Sequence, residues 1–194
     1  MRQAILDVMA KLEMAAERER LNGIEDGIDA LQYDSAKLLY IMALGAKAKS
    51  IVEVGTGVGY ATLWLGAAAE MMGGQVISCE INDEKLSEAK ANIEAAGLGD
   101  CVTFISGDAR DTLREQSGKV DMLFIDASLD IGNYETYFDV VYKRLEAGSL
   151  VVADNVKSHE FELDDYITYV QNHPNLDSQT VPIGDGLEVS VKIS

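Results

Sequence analysis

The chain has 194 residues, 47% of them hydrophobic, which suits one domain spanning 1–194 with a sizeable core. Asp+Glu 33 against Lys+Arg 16 leaves a formal net charge of −17, which disfavours polyanionic partners such as nucleic acid without excluding them. No apolar run approaches the roughly 18 residues that cross a bilayer, the first residues hold no signal-peptide core, and two cysteines make no disulfide framework; a cytoplasmic protein without membrane contact is expected.

Residues 2–20 read as an amphipathic helix with a stripe of Ile5, Leu6, Met9, Leu12 and Met14. This first element, 1–21, is expected to cap the domain or to pack on a second copy in a homodimer. Asn22-Gly23 ends it, and a Gly- and Asp-containing loop runs to Leu31. Asp34 or Ser35 is placed to cap the next helix, whose apolar set includes Leu38, Leu39, Ile41, Met42 and Leu44.

From Ile51 the pattern alternates. Strands are expected at 51–54, 75–80, 101–105, 120–125 and 149–153, each followed by a helix, at 60–71, 83–96, 109–116, 134–145 and 161–171. Val120-Asp121-Met122-Leu123-Phe124-Ile125 and Leu150-Val151-Val152 are nearly continuous apolar runs, as parallel strands covered on both faces require. Cys79 and Cys101 fall at opposite ends of neighbouring strands and read as buried small apolar residues. Leu176 to Ile183 and Leu187 to Ile193, joined by Gly184-Asp185-Gly186, read as a hairpin where a plain dinucleotide fold would add another βα unit. The expected class is α/β: doubly wound and Rossmann-like, a seven-stranded mostly parallel sheet with an antiparallel C-terminal hairpin and extra N-terminal helices.

The first strand runs into Gly55-Thr56-Gly57-Val58-Gly59-Tyr60 and then a helical pattern, so a glycine turn delivers free N–H groups at a helix start. Its G-x-G-x-G spacing differs from the G-x-G-x-x-G of dinucleotide folds. Glu53, two positions earlier, would repel a pyrophosphate but tolerate a cationic ligand. Glu-x-Gly-x-Gly-x-Gly resembles motif I of the class I S-adenosylmethionine (SAM) methyltransferases.

Ligands of open α/β sheets lie outside the carboxyl ends of the strands. Glu80 ends the second strand, where an acid can accept both ribose hydroxyls of a SAM or an NAD nucleoside. Gly107-Asp108-Ala109 follows the third and is similar to the methyltransferase segment at the adenine amine; Asp108 is equally suited to capping a helix. Asp126 ends the fourth strand and Asp154-Asn155 the fifth. Two carboxylates and an amide at one sheet edge form an all-oxygen set suited to Mg²⁺ or another hard divalent cation; the alternative is that each caps its own loop.

Val-Glu-Val-Gly-Thr-Gly-Val-Gly-Tyr (52–60), Phe-Ile-Asp-Ala (124–127) and Ala-Asp-Asn (153–155) together resemble the cation-dependent O-methyltransferases. That group includes the catechol and caffeoyl-CoA O-methyltransferases and their bacterial relatives. The ending Pro182-Ile183-Gly184-Asp185-Gly186-Leu187 is similar to the bacterial branch, which includes a tRNA wobble-uridine O-methyltransferase. The resemblance implies that Asp126, Asp154 and Asn155 ligate the metal. It implies that Glu53, Gly55, Thr56, Gly57, Gly59, Tyr60, Glu80, Ile81, Gly107, Asp108, Ala109 and Asp126 surround SAM. The implied activity is methyl transfer to a metal-bound hydroxyl of a small molecule. Leu129 stands at the family's general-base lysine, the loop before Tyr134 is longer, and Ala61 replaces a serine. Lys157 and His159 are therefore the candidate bases. Tyr134, Tyr137 and Trp64 read as packing residues, with a substrate slot beside Asp126 as the alternative for the tyrosines, and His173 as a helix C-terminal cap. Three further readings stay open: methylation of a tRNA uridine, SAM binding without catalysis, and an NAD-dependent oxidoreductase.

Overall fold

The computed structural model describes residues 1–22, 31–128 and 134–194. Most of the loop expected before Leu31, Leu129 and the loop 130–133 lie outside the described residues. The helices are α1 (Gln3–Leu21), α2 (Tyr33–Gly45), α3 (Tyr60–Met72), α4 (Asp83–Ala95), α5 (Ala109–Thr112), α6 (Tyr134–Tyr142) and α7 (Glu160–Gln171). The strands are β1 (Ser50–Val54), β2 (Gln75–Glu80), β3 (Val102–Ser106), β4 (Val120–Ile125), β5 (Leu145–Ala153), β6 (Leu176–Val181) and β7 (Leu187–Lys192).

They form one sheet in the order β3-β2-β1-β4-β5-β7-β6. The first five strands are mutually parallel, and β7 runs antiparallel to both β5 and β6. Chain order reverses at β1, between β2 and β4, so a crevice opens at the carboxyl ends of β1 and β4. Alternation along each strand sends side chains to opposite faces. Ile51, Met122, Phe124 and Val152 pack with α1–α4, and Val52, Leu123, Ile125 and Val151 pack with α5–α7. Helix α3 is buried on all sides from Tyr60 to Ala69 because α1, α2 and α4 cover what the sheet does not. That is why it is apolar all round. It ends at Gly73, whose φ of 64° provides the left-handed cap.

Four local expectations are corrected. The buried stripe of α1 is Ile5, Val8, Met9 and Leu12, while Leu6 and Met14 are exposed, Met14 by 73%. Helix α2 starts from Gln32 without a side-chain cap; Ser35 instead donates to the Ile183 carbonyl and ties α2 to the hairpin. Strand β5 starts four residues early, because Leu145 pairs with Val120 across an irregularity in the register that Gly148 and Ser149 accommodate. Cys79 and Cys101 are buried and free, and Trp64 lies in the core. His173 does not cap α7; its ring sits among Phe138, Tyr142 and Tyr169.

Candidate active site

A cavity of about 640 Å³ opens over the tips of β1 and β4, floored by the glycine turn. The three motif glycines all have positive φ, but they serve different ends. A Cβ on Gly55 would lie 1.9 Å from the Asp126 carbonyl oxygen, so this glycine lets the two strand tips touch. A Cβ on Gly57 would meet nothing within 4 Å, which leaves that backbone open to a ligand. Gly59 packs on Ala89 of α4. Glu80 braces the turn: one carboxylate oxygen accepts from Gly57 N–H at 2.8 Å and the other from Asn82 N–H at 2.9 Å. Glu80 nevertheless lines the cavity, with lone pairs left for a ligand's hydroxyls.

Glu53 is not in the cavity wall. It points with Ile51 toward α3 and is fully buried. One oxygen accepts from Thr62 Oγ1 at 2.6 Å and from Ser78 Oγ, which also contacts Thr56 of the turn. Among the described residues the other oxygen has no hydrogen-bond partner. Burial raises this carboxyl to about pH 7 against the partly compensating hydroxyls of Ser78 and Thr62. Glu53 is thus an internal brace behind the turn.

At the far wall Asp108 caps α5 by accepting from Arg110 N–H at 2.8 Å, and the Arg110 guanidinium closes on the same carboxylate. That side-chain pairing holds Asp108 below the usual carboxylate range. The capping role is therefore present, and Asp108, Gly107, Ala109 and Ile81 all line the cavity. Tyr60, also on the wall, donates its hydroxyl to Glu13 of α1 at 2.6 Å and so links the first helix to the cleft.

The acceptor end lies where β4 and β5 stop. Asn155, in a left-handed conformation with φ of 68°, donates from Nδ2 to Asp126 Oδ1 at 3.1 Å, and both residues line the cavity. Asp154 is buried just beneath them. Tyr134 of α6 is also fully buried: its hydroxyl donates to the Ala127 carbonyl at 3.0 Å and feels the charge of Asp126 and Asp154. Burial, then those carboxylates, push its pKa well above the ordinary value, so it stays a neutral phenol. Among the described residues, no group of three or more His, Cys, Asp or Glu side chains is arranged around a metal. Two carboxylates and an amide oxygen instead suit an ion that keeps several waters, which is the habit of Mg²⁺. The donor set fits that ion.

The two candidate bases separate. Lys157 turns outward to Glu160, 3.2 Å away, and its stem packs on Gly186. His159 lines the cavity. The Ser158 hydroxyl lies 3.3 Å from the Asn155 carbonyl and 3.0 Å from His159 Nδ1. The tautomer protonated on Nδ1 would leave Nε2 as the proton acceptor. The wall residues that escaped the sequence reading include Lys85, in the first turn of α4, and Glu162, in the first turn of α7. Both follow strand tips at the crevice, and that position was the available signal. Tyr137 lines the cavity, whereas Tyr134 supports it from below.

This sheet order, glycine turn and strand-tip set define a class I, Rossmann-like methyltransferase fold. A model described as "Methyltransferase domain" matches residues 52–156, more than half of the chain. A catechol O-methyltransferase of Niastella koreensis is 37% identical over 138 residues, which cover 68% of this chain and 61% of that protein. Another catechol O-methyltransferase, from Mycobacterium tuberculosis, is 32% identical over 128 residues, 66% of this chain and 57% of that protein. The chain thus spans about three fifths of the length of these relatives. The solved structure of Podospora anserina methyltransferase PaMTH1, bound to S-adenosylhomocysteine (SAH), superposes with a TM-score of 0.84 at 19% identity, covering 100% of this chain and 89% of that one. The chain belongs to the methyltransferase-domain family.

Proposed function

We propose that this chain is a SAM-dependent O-methyltransferase whose acceptor is a small molecule carrying a hydroxyl held by a divalent cation. One observation supports this reading above the others: the open backbone of Gly57 with Glu80, and the Asp126–Asn155 pair, face one cavity. Gly57, Glu80 and the Gly107–Ala109 segment would hold the nucleoside, and Asp126, Asp154 and Asn155 would hold Mg²⁺. When bound, SAM supplies an electrophilic methyl group and the cation lowers the pKa of the hydroxyl beside it. The chain itself orients the acceptor oxygen against the methyl, excludes water with Tyr137 and Ala61, and takes the hydroxyl proton on His159 Nε2. Lys157 has no part in this step. The relatives' names point to a catechol-like diol as the first acceptor to try.

Calorimetry with SAM, SAH and NAD, each with and without Mg²⁺, followed by methyl-transfer assays on catechol, tests the reading. Binding of SAM and SAH but not NAD, with Mg²⁺-dependent methylation, is expected. NAD binding, or catechol methylation that persists in a chelator, would overturn it.

A further inference from the structure

Charge is unevenly divided over the cavity. Its cofactor half, at the tips of β1–β3, carries Lys85, the one lysine or arginine among the described lining residues. Lys85 lies one helical turn beyond Asn82, whose N–H is hydrogen-bonded to Glu80, so it belongs to the nucleoside side. The acceptor half, at the tips of β4 and β5, has no such cation. Lys157, the nearest in sequence, is held outward by Glu160 at 3.2 Å. Glu162 lines this half instead: it stands three residues after His159, on the same face of the start of α7, and both line the cavity. Among the described residues its exposed carboxylate has no hydrogen bond or ion pair. Residues 23–30 and 129–133 contain Glu25, Asp26, Asp29 and Asp130 but no lysine, arginine or histidine, so the chain has no cation there to neutralise it.

From this division we infer that Glu162 is a specificity-determining residue that selects the acceptor by charge, favouring a diol with a cationic arm over a neutral one and disfavouring carboxylates and phosphate-bearing thioesters. The inference rests on the function proposed above and narrows its acceptor class. A divalent cation held by Asp126 and Asp154 would balance those two carboxylates, which leaves Glu162 as the charge that the remote end of the acceptor meets. Recognition of phosphate calls for arginine, lysine or a bare helix N-terminus, whereas the first turn of α7 carries Glu160 and Glu162. The net charge of −17 adds a long-range attraction for cations, so the local and global contributions have to be separated by the choice of variants.

Steady-state methylation of three catechols that differ only in the arm at position 4 (2-aminoethyl, ethyl or carboxymethyl) tests this on the full chain with SAM and Mg²⁺. The wild type should rank them ammonium, neutral, carboxylate in falling kcat/KM, with the difference residing in KM. Glu162→Gln should lower the ammonium-to-neutral ratio on the order of 5-fold, the upper worth of one exposed ion pair, and Glu162→Lys should invert the order. A carboxylate that only tuned His159 would change kcat for all three substrates together and leave their ratios fixed, and that result would overturn the inference. Glu160→Gln removes the same charge from the same helical turn outside the cavity and should leave the ratio within about twofold. An equal fall in that variant would trace the preference to the overall field and overturn the assignment to Glu162. Equal kcat/KM for all three substrates in the wild type refutes the inference alone. If none is methylated while SAH still binds, the acceptor proposed above is wrong and the inference falls with it.

Discussion

Replacing Glu53 by glutamine isolates the brace behind the glycine turn. The carboxyl is fully buried and raised from 4.5 to about 7, burial being the dominant cause and Glu80's charge a lesser one. A carboxyl raised in this way contributes its full stability below pH 4.5, and that contribution is lost as pH climbs through about 7. At about 1.4 kcal/mol per pH unit, the loss across that window is on the order of 3 kcal/mol. Glutamine matches the neutral acid in shape and can still accept from Thr62 and Ser78, but it never ionises. Urea or thermal unfolding of both proteins between pH 5 and 8.5 reads the difference. Glu53→Gln should be the more stable by about 1 kcal/mol or less at pH 5 and by up to about 3 kcal/mol at pH 8.5. For a chain of this size that is roughly 6–12 °C in midpoint. Parallel pH profiles across the whole range would show that Glu53 does not titrate in this window.

Three further outcomes follow from the geometry. Gly55→Ala should unfold the chain or abolish SAH binding because its Cβ strikes the Asp126 carbonyl, whereas Gly57→Ala, in open space, should cost about 1 kcal/mol for its left-handed backbone; thermal melts with SAH calorimetry separate the two. Glu80→Ala should weaken SAH by about 10- to 100-fold, the worth of hydrogen bonds to a charged group, as calorimetry would show. In steady-state assays His159→Asn should lower turnover on the order of 100-fold while Lys157→Ala leaves it within about twofold; the reverse ranking would move the base to the lysine.

Much of this site could be read from spacing alone. Nearly continuous apolar strands and the glycines at alternate positions after Val54 locate the crevice, and each strand-tip acid falls where the βα pattern puts it. What could not be read that way depends on side-chain direction. Glu53 looks like a ligand contact because it lies two residues from the turn, yet alternation puts it on the same face as Ile51, under α3. Thr62 and Ser78, polar in otherwise apolar segments, were the trace of its partners. Lys157 and His159 are two residues apart, and only the turn into α7, where Lys157 pairs with Glu160, separates them. Ser35 suited a helix cap on propensity, and tertiary contact with the hairpin drew it elsewhere.

A crystal of the chain grown with SAH and Mn²⁺, measured at a wavelength where manganese scatters anomalously, tests the central proposal most directly. The expected result is one anomalous peak ligated by Asp126, Asp154 and the Asn155 side-chain oxygen, with SAH lying along Gly57 and Glu80. Bound SAH with no peak among those three residues, in crystals saturated with the ion, would contradict it.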